Sequence, residues 1–244
     1  QFRQFYCEAD LCTMLYPNFV LSLLASALLM GISPVSAQDK DSNCEYWSSI
    51  GECDKNPGFM LKKCATSCER AAEQALKDSK ELEGINSFFD LNAKDIHGNL
   101  IEFSKFEGGV TIIVNVASYC GYTDSHYRGL VKLFGNVKHT GKVNILAFPC
   151  NQFGEQEPKS NDEIFDFALG YGVEFTMMEK IDVNGSGASV VYKYLKSKAG
   201  PATITWNFAT YYIVSPDGSI ESKSGIEPTE LSEVALGLLE GELQ

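Results

Sequence analysis

A cysteine that closely follows an apolar strand pattern, of the kind found in buried strands, constrains this chain more than any other feature. Val110 to Val116 form an apolar strand pattern, Cys120 lies in the turn that follows, and Leu130 and Leu133 belong to a helical pattern after it. At such a turn the helix dipole and free backbone N–H groups favour the thiolate, which is the reactive form of cysteine. A free cysteine is more commonly a small buried hydrophobe, so the turn alone indicates only a candidate nucleophile.

Strand and helix patterns alternate from residue 85 onward, which predicts an α/β sheet covered by helices on both faces. A short strand, a redox-type cysteine and a helix suggest a thioredoxin-like architecture. Turn residues predict two hairpins, one from Phe88 to Phe103 around His97–Asn99 and one from Tyr211 to Glu221 around Pro216–Gly218. The other expected elements are buried strands at Val110–Val116 and Val143–Phe148 and helices at Tyr127–Phe134, Asn161–Leu169, Val190–Lys196 and Pro228–Leu239.

The first 37 positions have the pattern of a secretory leader. An apolar run from Phe19 to Ile32 is followed by small residues up to Ala37, as in a signal peptide cleaved after Ala37. Met14 is a candidate start, which makes residues 1–13 an upstream extension. Because no basic residue lies between Met14 and the apolar run, an uncleaved signal anchor is the alternative.

The charge of the chain restricts its partners. The formal net charge is −12. Phosphate-rich partners require Lys and Arg, so this charge argues against nucleic acid and against an anionic membrane surface. It also argues mildly against a strong general attraction for anionic small molecules.

Four clustered cysteines follow the leader. After a leader, such a cluster indicates a small module held by disulfides in an oxidising compartment, with three pairings open from the residues alone. A zinc site is the rival, and it is disfavoured because the cluster has no C-x-x-C pair and no histidine nearby. The clustered residues are Cys44, Cys53, Cys64 and Cys68.

The spacing of these cysteines, with Trp47, Gly51 and Met60 between them, resembles the ShK-toxin-like (ShKT) domain. That family usually has six cysteines, and the first and last are missing here. The resemblance implies the pairs Cys44–Cys64 and Cys53–Cys68. We expect the module to act as a tether or to add stability, so removing residues 38–70 should leave turnover intact.

The chain is therefore divided into four parts. Residues 1–37 are the upstream extension and leader, and residues 38–70 are the ShKT-like module. Residues 71–84 are a polar helical linker, and residues 85–244 form the large α/β domain.

Three motifs of the large domain carry its chemistry. They read NVASYCG at Asn115–Gly121, LAFPCNQFG at Leu146–Gly154 and WNF at Trp206–Phe208. In this order they resemble the glutathione peroxidase family over roughly residues 86–240. The resemblance implies a thiol-dependent peroxidase that reduces hydrogen peroxide and organic or lipid hydroperoxides and protects against oxidative stress.

The resemblance also assigns the catalytic residues. Cys120 is the peroxidatic thiol, which becomes a sulfenic acid when it attacks peroxide. Gln152, Trp206 and Asn207 complete the tetrad as neutral hydrogen-bond donors to the thiolate or the leaving oxygen. Each donor also has a structural alternative, since large aromatics are commonly core and amides commonly cap turns. No cofactor is implied beyond a thiol co-substrate.

The reductant is expected to be a dithiol protein, of the disulfide isomerase or thioredoxin type, or glutathione. Leu169 occupies the aligned position of the resolving cysteine found in thioredoxin-dependent members. Cys150 is the other thiol of the domain and is expected to be structural, with the resolution of oxidised Cys120 as its alternative role. Tyr122 stands where some glutathione-specific members have Lys, which disfavours dedicated glutathione binding.

The segment Tyr122–Arg128, together with the leader, most resembles the secretory-pathway glutathione peroxidases, which pass oxidation to protein disulfide isomerases. The expected location is the endoplasmic reticulum lumen or the secreted space. Tetrameric members carry an extra segment in the region between Asn184 and Pro201, which is short here, so we expect a monomer.

Two other functions compete with the peroxidase. In one, the ShKT-like module engages a partner and the α/β domain is an inert scaffold. In the other, the protein exchanges disulfides without meeting peroxide, which the absence of C-x-x-C in the large domain weakens.

Overall fold

This computed structural model describes residues 38–241. The leader predicted for residues 1–37 lies outside the described residues. Within 38–241 no helix combines the length and apolar character needed to cross a bilayer.

The N-terminal module consists of short helices held by disulfides. Helices α1 (Cys44–Ser49), α2 (Glu52–Lys55) and α3 (Pro57–Lys63) lead into α4 (Ala65–Glu81). Gly51 allows the sharp turn between α1 and α2, because its φ of 83° lies in the left-handed region that glycine adopts without strain. The small core consists of Met60 and the disulfides.

Helix α4 joins the module to the α/β domain without a break. We predicted a helical linker beginning at Ala71, but the helix already begins at Ala65, inside the module. Cys64 precedes its first turn and Cys68 lies within it. The disulfides therefore anchor the N-terminal end of the helix whose C-terminal end reaches the α/β domain.

The central sheet has the strand order β5-β4-β3-β6-β7. Strands β3, β4 and β5 run parallel, whereas β6 is antiparallel to both β3 and β7. The bounds are β3 Val110–Val116, β4 Val143–Pro149, β5 Thr176–Met177, β6 Thr210–Val214 and β7 Ile220–Ser224. All residues of β3 are buried, as expected for a central strand with both faces covered.

Helices cover both faces of this sheet, as predicted. Alternate side chains of β3 point to opposite faces: Ile112 packs with Leu130 of α5, and Ile113 packs with Leu195 of α7. The helix bounds are α5 Thr123–Val137, α6 Asn161–Gly170, α7 Val190–Ala199 and α8 Leu231–Glu240. The remaining short 3₁₀ segments are Phe103–Phe106, Lys138–Thr140 and Pro228–Glu230.

The first predicted hairpin is displaced. Phe88–Asp90 forms a 3₁₀ turn instead of a strand, because Ser87 and Asp90 cap it reciprocally. The hairpin is built from β1 (Asn92–Lys94) and β2 (Leu100–Glu102), paired antiparallel. The second predicted hairpin is present as β6 and β7.

Candidate active site

The turn after β3 places Cys120 just before α5. Thr123, the first residue of α5, holds this turn: its hydroxyl donates to the Ala117 carbonyl at 2.7 Å and accepts from the Cys120 backbone N–H at 3.0 Å. Cys120 is free of disulfides and its side chain is almost entirely buried, at 7% exposure. The Cys120 backbone N–H is thus already hydrogen-bonded to Thr123, a contact that the sequence motif did not reveal.

Gln152 lies just after β4 and is fixed by a neighbouring loop. Its Oε1 accepts the backbone N–H groups of Val183 and Asn184 at 2.8 and 2.9 Å. Its Nε2 donates to the Asn184 carbonyl at 2.9 Å. The amide therefore has a structural function in addition to any catalytic one.

Trp206 and Asn207 precede β6 and are held by Asn115 of β3. The Asn115 Nδ2 donates to Asn207 Oδ1 at 2.9 Å and to the Trp206 carbonyl at 3.3 Å. Asn115 and Asn207 are both completely buried. The Asn207 Nδ2 has no hydrogen-bond partner in the structure, so a buried N–H donor is left available at this edge.

Phe208 adopts an uncommon backbone conformation beside this pair. Its φ is 64°, a left-handed value that costs on the order of 1 kcal/mol or more for a residue other than glycine. The backbone N–H of Phe208 donates to the Asn115 carbonyl at 2.8 Å. Asn115 thus holds the conformation with its side chain and its backbone together.

The three motifs meet at one edge of the sheet. Val116 at the end of β3 pairs in register with Pro149 at the end of β4, and the antiparallel β6 starts at the same edge. The backbone N–H of Tyr119 donates to the Gln156 carbonyl at 3.0 Å, and the rings of Phe153 and Trp206 lie 5.8 Å apart.

The structure thus places all four predicted catalytic residues at this edge. Within residues 38–241, no hydrogen bond joins the Cys120 thiol to Gln152, Trp206 or Asn207.

A buried carboxyl lies behind the cysteine turn. Glu157 is completely buried and both of its carboxyl oxygens lack hydrogen-bond partners. Burial raises its pKa, against an opposing effect of the neighbouring Ser118 and of Lys180. Burial thus disfavours the charged form of this carboxyl beside the turn, and the sequence motifs gave this residue no role.

A buried histidine, His126, lies in α5, the helix that follows the turn. His126 Nδ1 is 2.6 Å from the hydroxyl of Tyr211. Burial lowers the pKa of His126, with a smaller opposing effect of Glu227, and burial raises that of Tyr211. We therefore assign the proton to the phenol, which donates to a neutral imidazole.

Three exposed aromatic residues belong to the segments that meet at the edge bearing the nearly buried thiol. Tyr119 and Tyr122 are each 54% exposed, and Trp206 is 38% exposed. The Lys159 ammonium lies over the Tyr119 ring at 5.7 Å from its centroid. These three side chains form an aromatic rim at the edge that carries the Cys120 turn, and the Lys159 ammonium lies near one of them.

The second free thiol is in a different environment. Cys150 is completely buried, and burial raises its pKa to about 11. Its thiol is 3.8 Å from Gln152 Oε1. Leu169 of α6, which occupies the aligned position of the resolving cysteine, is exposed.

The disulfides of the module join the pairs that the ShKT resemblance implies. Cys44 is bonded to Cys64 and Cys53 to Cys68. Among the described residues, no group of three or more His, Cys, Asp or Glu side chains is arranged to hold a metal ion.

Comparison with known proteins matches both parts of the chain. A glutathione peroxidase family model matches residues 88–196, and a ShK domain-like model matches residues 37–70. Human glutathione peroxidase 7 is 48% identical over 134 residues, which cover 54% of this chain and 70% of that protein. The chain belongs to the glutathione peroxidase family. It is a thiol-dependent peroxidase, an oxidoreductase that uses peroxide as oxidant, with an N-terminal ShK-like module.

Further glutathione peroxidases extend the similarity. A probable phospholipid hydroperoxide glutathione peroxidase of Mesembryanthemum crystallinum is 47% identical over 146 residues, covering 58% of this chain and 85% of that protein. The crystal structure of T. cruzi GPX1 superposes with a TM-score of 0.52 at 30% identity, covering 64% of this chain and 97% of that one. These similarities confirm the thioredoxin-like fold predicted for the α/β domain.

Proposed function

We propose that Cys120 is the peroxidatic residue and that Gln152, Trp206 and Asn207 are its hydrogen-bond donors. The Cys120 sulfur attacks one peroxide oxygen, so an S–O bond forms as the O–O bond breaks. Sulfur is oxidised by two electrons to the sulfenic acid, and the peroxide is reduced to water or an alcohol. The proton of the thiol ends on the leaving oxygen.

One observation carries this assignment: the buried amide of Asn207, whose Nδ2 has no partner, lies at the sheet edge that also bears the Cys120 turn. A preorganised neutral donor stabilises negative charge on sulfur or on a leaving oxygen without adding a competing charge. The aromatic rim around the thiol favours apolar hydroperoxides, including lipid hydroperoxides, as substrates besides hydrogen peroxide. The plant relative is named as a probable phospholipid hydroperoxide glutathione peroxidase, which is consistent with that substrate class.

The reductant that we propose is a dithiol protein of the disulfide isomerase or thioredoxin type. One thiol of the partner attacks the Cys120 sulfenic acid, releasing water and forming a mixed disulfide. The second thiol then displaces Cys120, which leaves the partner oxidised. Complete burial of Cys150 and the presence of Leu169 support an external resolving thiol, while Tyr122 and the net charge of −12 disfavour anionic glutathione.

The location that we propose is the secretory pathway, in the endoplasmic reticulum lumen or beyond it. The two disulfides support an oxidising compartment, because such bonds persist there and are rare in the cytosol. We also keep the division into a module at residues 38–70, a linker at residues 71–84 and a catalytic part at residues 85–244 as a proposal. A monomer is expected in light scattering.

The test is peroxide consumption by the purified protein, with disulfide isomerase, thioredoxin or glutathione supplied separately. Cys120→Ser should abolish turnover, whereas Cys150→Ser should retain it, because serine keeps a donor toward Gln152 and Cys150 is sealed in the core. Full turnover by Cys120→Ser would refute the assignment. Turnover with glutathione alone would refute the proposed reductant.

A further inference from the structure

The ShK-like module and helix α4, which continues from it, contact the part of the α/β domain that carries the site. We propose that the module and α4 together are a brace for the catalytic edge, with Lys193 and Thr203 as positioning residues for Gln152 and Trp206. The inference rests on the proposed function, since it concerns two residues of the proposed tetrad. It assigns the module a role in turnover instead of a tether alone.

The first contact is a buried ion-pair cluster at the end of α4. The Lys193 ammonium of α7 lies 3.0 Å from Asp78 Oδ1 and 2.7 Å from Glu81 Oε2. Its side chain is only 2% exposed, so the lysine is desolvated while both carboxylates keep contact with water. A buried lysine without partners is costly, and α4 is therefore held against α7.

The second contact is made by α1, within the module itself. The hydroxyl of Thr203 donates to the carbonyl oxygen of Ser49, the last residue of α1. The Cys44–Cys64 disulfide links α1 to the start of α4. The two contacts with the α/β domain thus belong to one cross-linked unit.

The Thr203 contact leads to the site through Asn184. Its Oδ1 accepts the backbone N–H of Ile204 at 3.0 Å, and its Nδ2 donates to the Ile204 carbonyl at 2.7 Å. The backbone of Asn184 holds the Gln152 amide on the other side. Thr203 adjoins Ile204, and Trp206 follows shortly after it in the chain.

The ion-pair cluster reaches the same loop. The Lys193 ammonium donates to the Ser186 carbonyl at 3.4 Å, and the Lys196 ammonium of the same helix donates to the Val183 carbonyl at 2.8 Å. Val183 is one of the two residues whose N–H groups bind Gln152. Loosening α4 from α7 should therefore loosen the 183–186 loop and, through it, Gln152.

The experiment uses the full chain with two variants that release one contact each. Lys193→Met fills the buried site with an apolar side chain and leaves Asp78 and Glu81 in contact with water, so the fold should survive. Thr203→Val removes the hydroxyl, and Thr203→Ser restores it. Lys198→Met is the matched control, because it removes an exposed charge from the same helix.

Two readouts separate positioning from a general loss of stability. The first is the rate constant for oxidation of the Cys120 thiol by hydrogen peroxide, followed by rapid mixing. The second is acrylamide quenching of Trp206 fluorescence in a Trp47→Phe background, which removes the other tryptophan of the chain.

Lys193→Met should lower the rate constant about tenfold, since small displacements of positioning groups have effects of this size or larger. It should also increase quenching of Trp206. Thr203→Val should likewise lower the rate constant and increase the quenching of Trp206. Thr203→Ser and Lys198→Met should match the starting protein in both readouts. Unchanged rate and quenching in both Lys193→Met and Thr203→Val would overturn the brace. If the starting protein itself does not react with peroxide, the proposed function fails. The brace is then tested only by whether the variants increase the quenching of Trp206.

Discussion

Replacing Asn115 tests how the site is assembled from separate segments. Asn115→Leu keeps the approximate size of the side chain and removes its hydrogen bonds. The Asn207 Oδ1 then loses its donor in a fully buried position, while the Trp206 carbonyl keeps the N–H of Ala209 at 3.4 Å. The variant therefore affects Asn207 more than Trp206.

The expected loss of stability follows from these contacts. A buried acceptor left without a donor costs about 1–3 kcal/mol, and a single lost hydrogen bond about 0.5–1.5 kcal/mol. The Asn115 Oδ1 is itself buried without a partner, so its removal offsets part of this cost. The net destabilisation should be about 2 kcal/mol, which corresponds to a Tm decrease of roughly 4–8 °C for a chain of this size.

The catalytic effect should exceed what this stability loss explains. Without Asn115 the Asn207 amide is no longer fixed, and the rate constant for Cys120 oxidation should fall by about 10- to 100-fold at a temperature where the variant is folded. Stopped-flow oxidation and thermal unfolding measure the two effects on the same samples.

The matched control is Thr111→Val on the same strand. Thr111 is also completely buried, and its hydroxyl has no partner, so this change should leave the rate unchanged and not lower Tm. Unchanged oxidation kinetics in Asn115→Leu, or an equal loss in Thr111→Val, would refute the argument.

Two further predictions concern buried titratable groups. Burial raises the folded-state pKa of Glu157 above its usual 4.5. The uncharged acid therefore contributes stability that is fully present below about pH 4.5. This stability is lost as the pH rises through the folded-state pKa. Glu157→Gln should therefore raise Tm more at pH 8 than at pH 4, and an equal change at both would contradict this. Iodoacetamide at pH 7 should label Cys120 well before Cys150, because burial raises the pKa of Cys150 to about 11. If mass spectrometry showed the opposite order of labelling, the buried position of Cys150 would be contradicted.

The sequence predicted the elements that have a strong local signal. β3 and β4 were found from continuous apolar runs, and the β6–β7 hairpin from its Pro-Asp-Gly turn. The β1 strand was misplaced because the aromatic residues at Phe88–Phe89 suggested a strand, while the capping pair around them stabilises a 3₁₀ turn. The two-residue β5 is too short to produce any periodic pattern.

The site was predicted in a similarly uneven way. The motif match identified the candidate catalytic residues, and the structure added the edge of the sheet where they meet. It did not identify Asn115, Thr123 or Lys193 as supporting residues, because their partners are set by the tertiary fold or by the geometry of one turn. A lysine in a helical pattern is normally expected to be exposed, and only the docking of α4 explains why Lys193 is not.

The buried groups around the Cys120 turn share one electrostatic property, which bears on the choice of substrate. Burial disfavours the charged forms of both Glu157 and His126, and the Asn207 donor is a neutral amide. None of these three groups supplies a fixed counter-ion, so they stabilise a developing negative charge on sulfur or on a leaving oxygen through dipoles and hydrogen bonds. Such surroundings impose no preference for a charged substrate, so an uncharged hydroperoxide enters without an electrostatic cost. Discrimination then depends on how the apolar rim of Tyr119, Tyr122 and Trp206 accommodates the organic part of the peroxide.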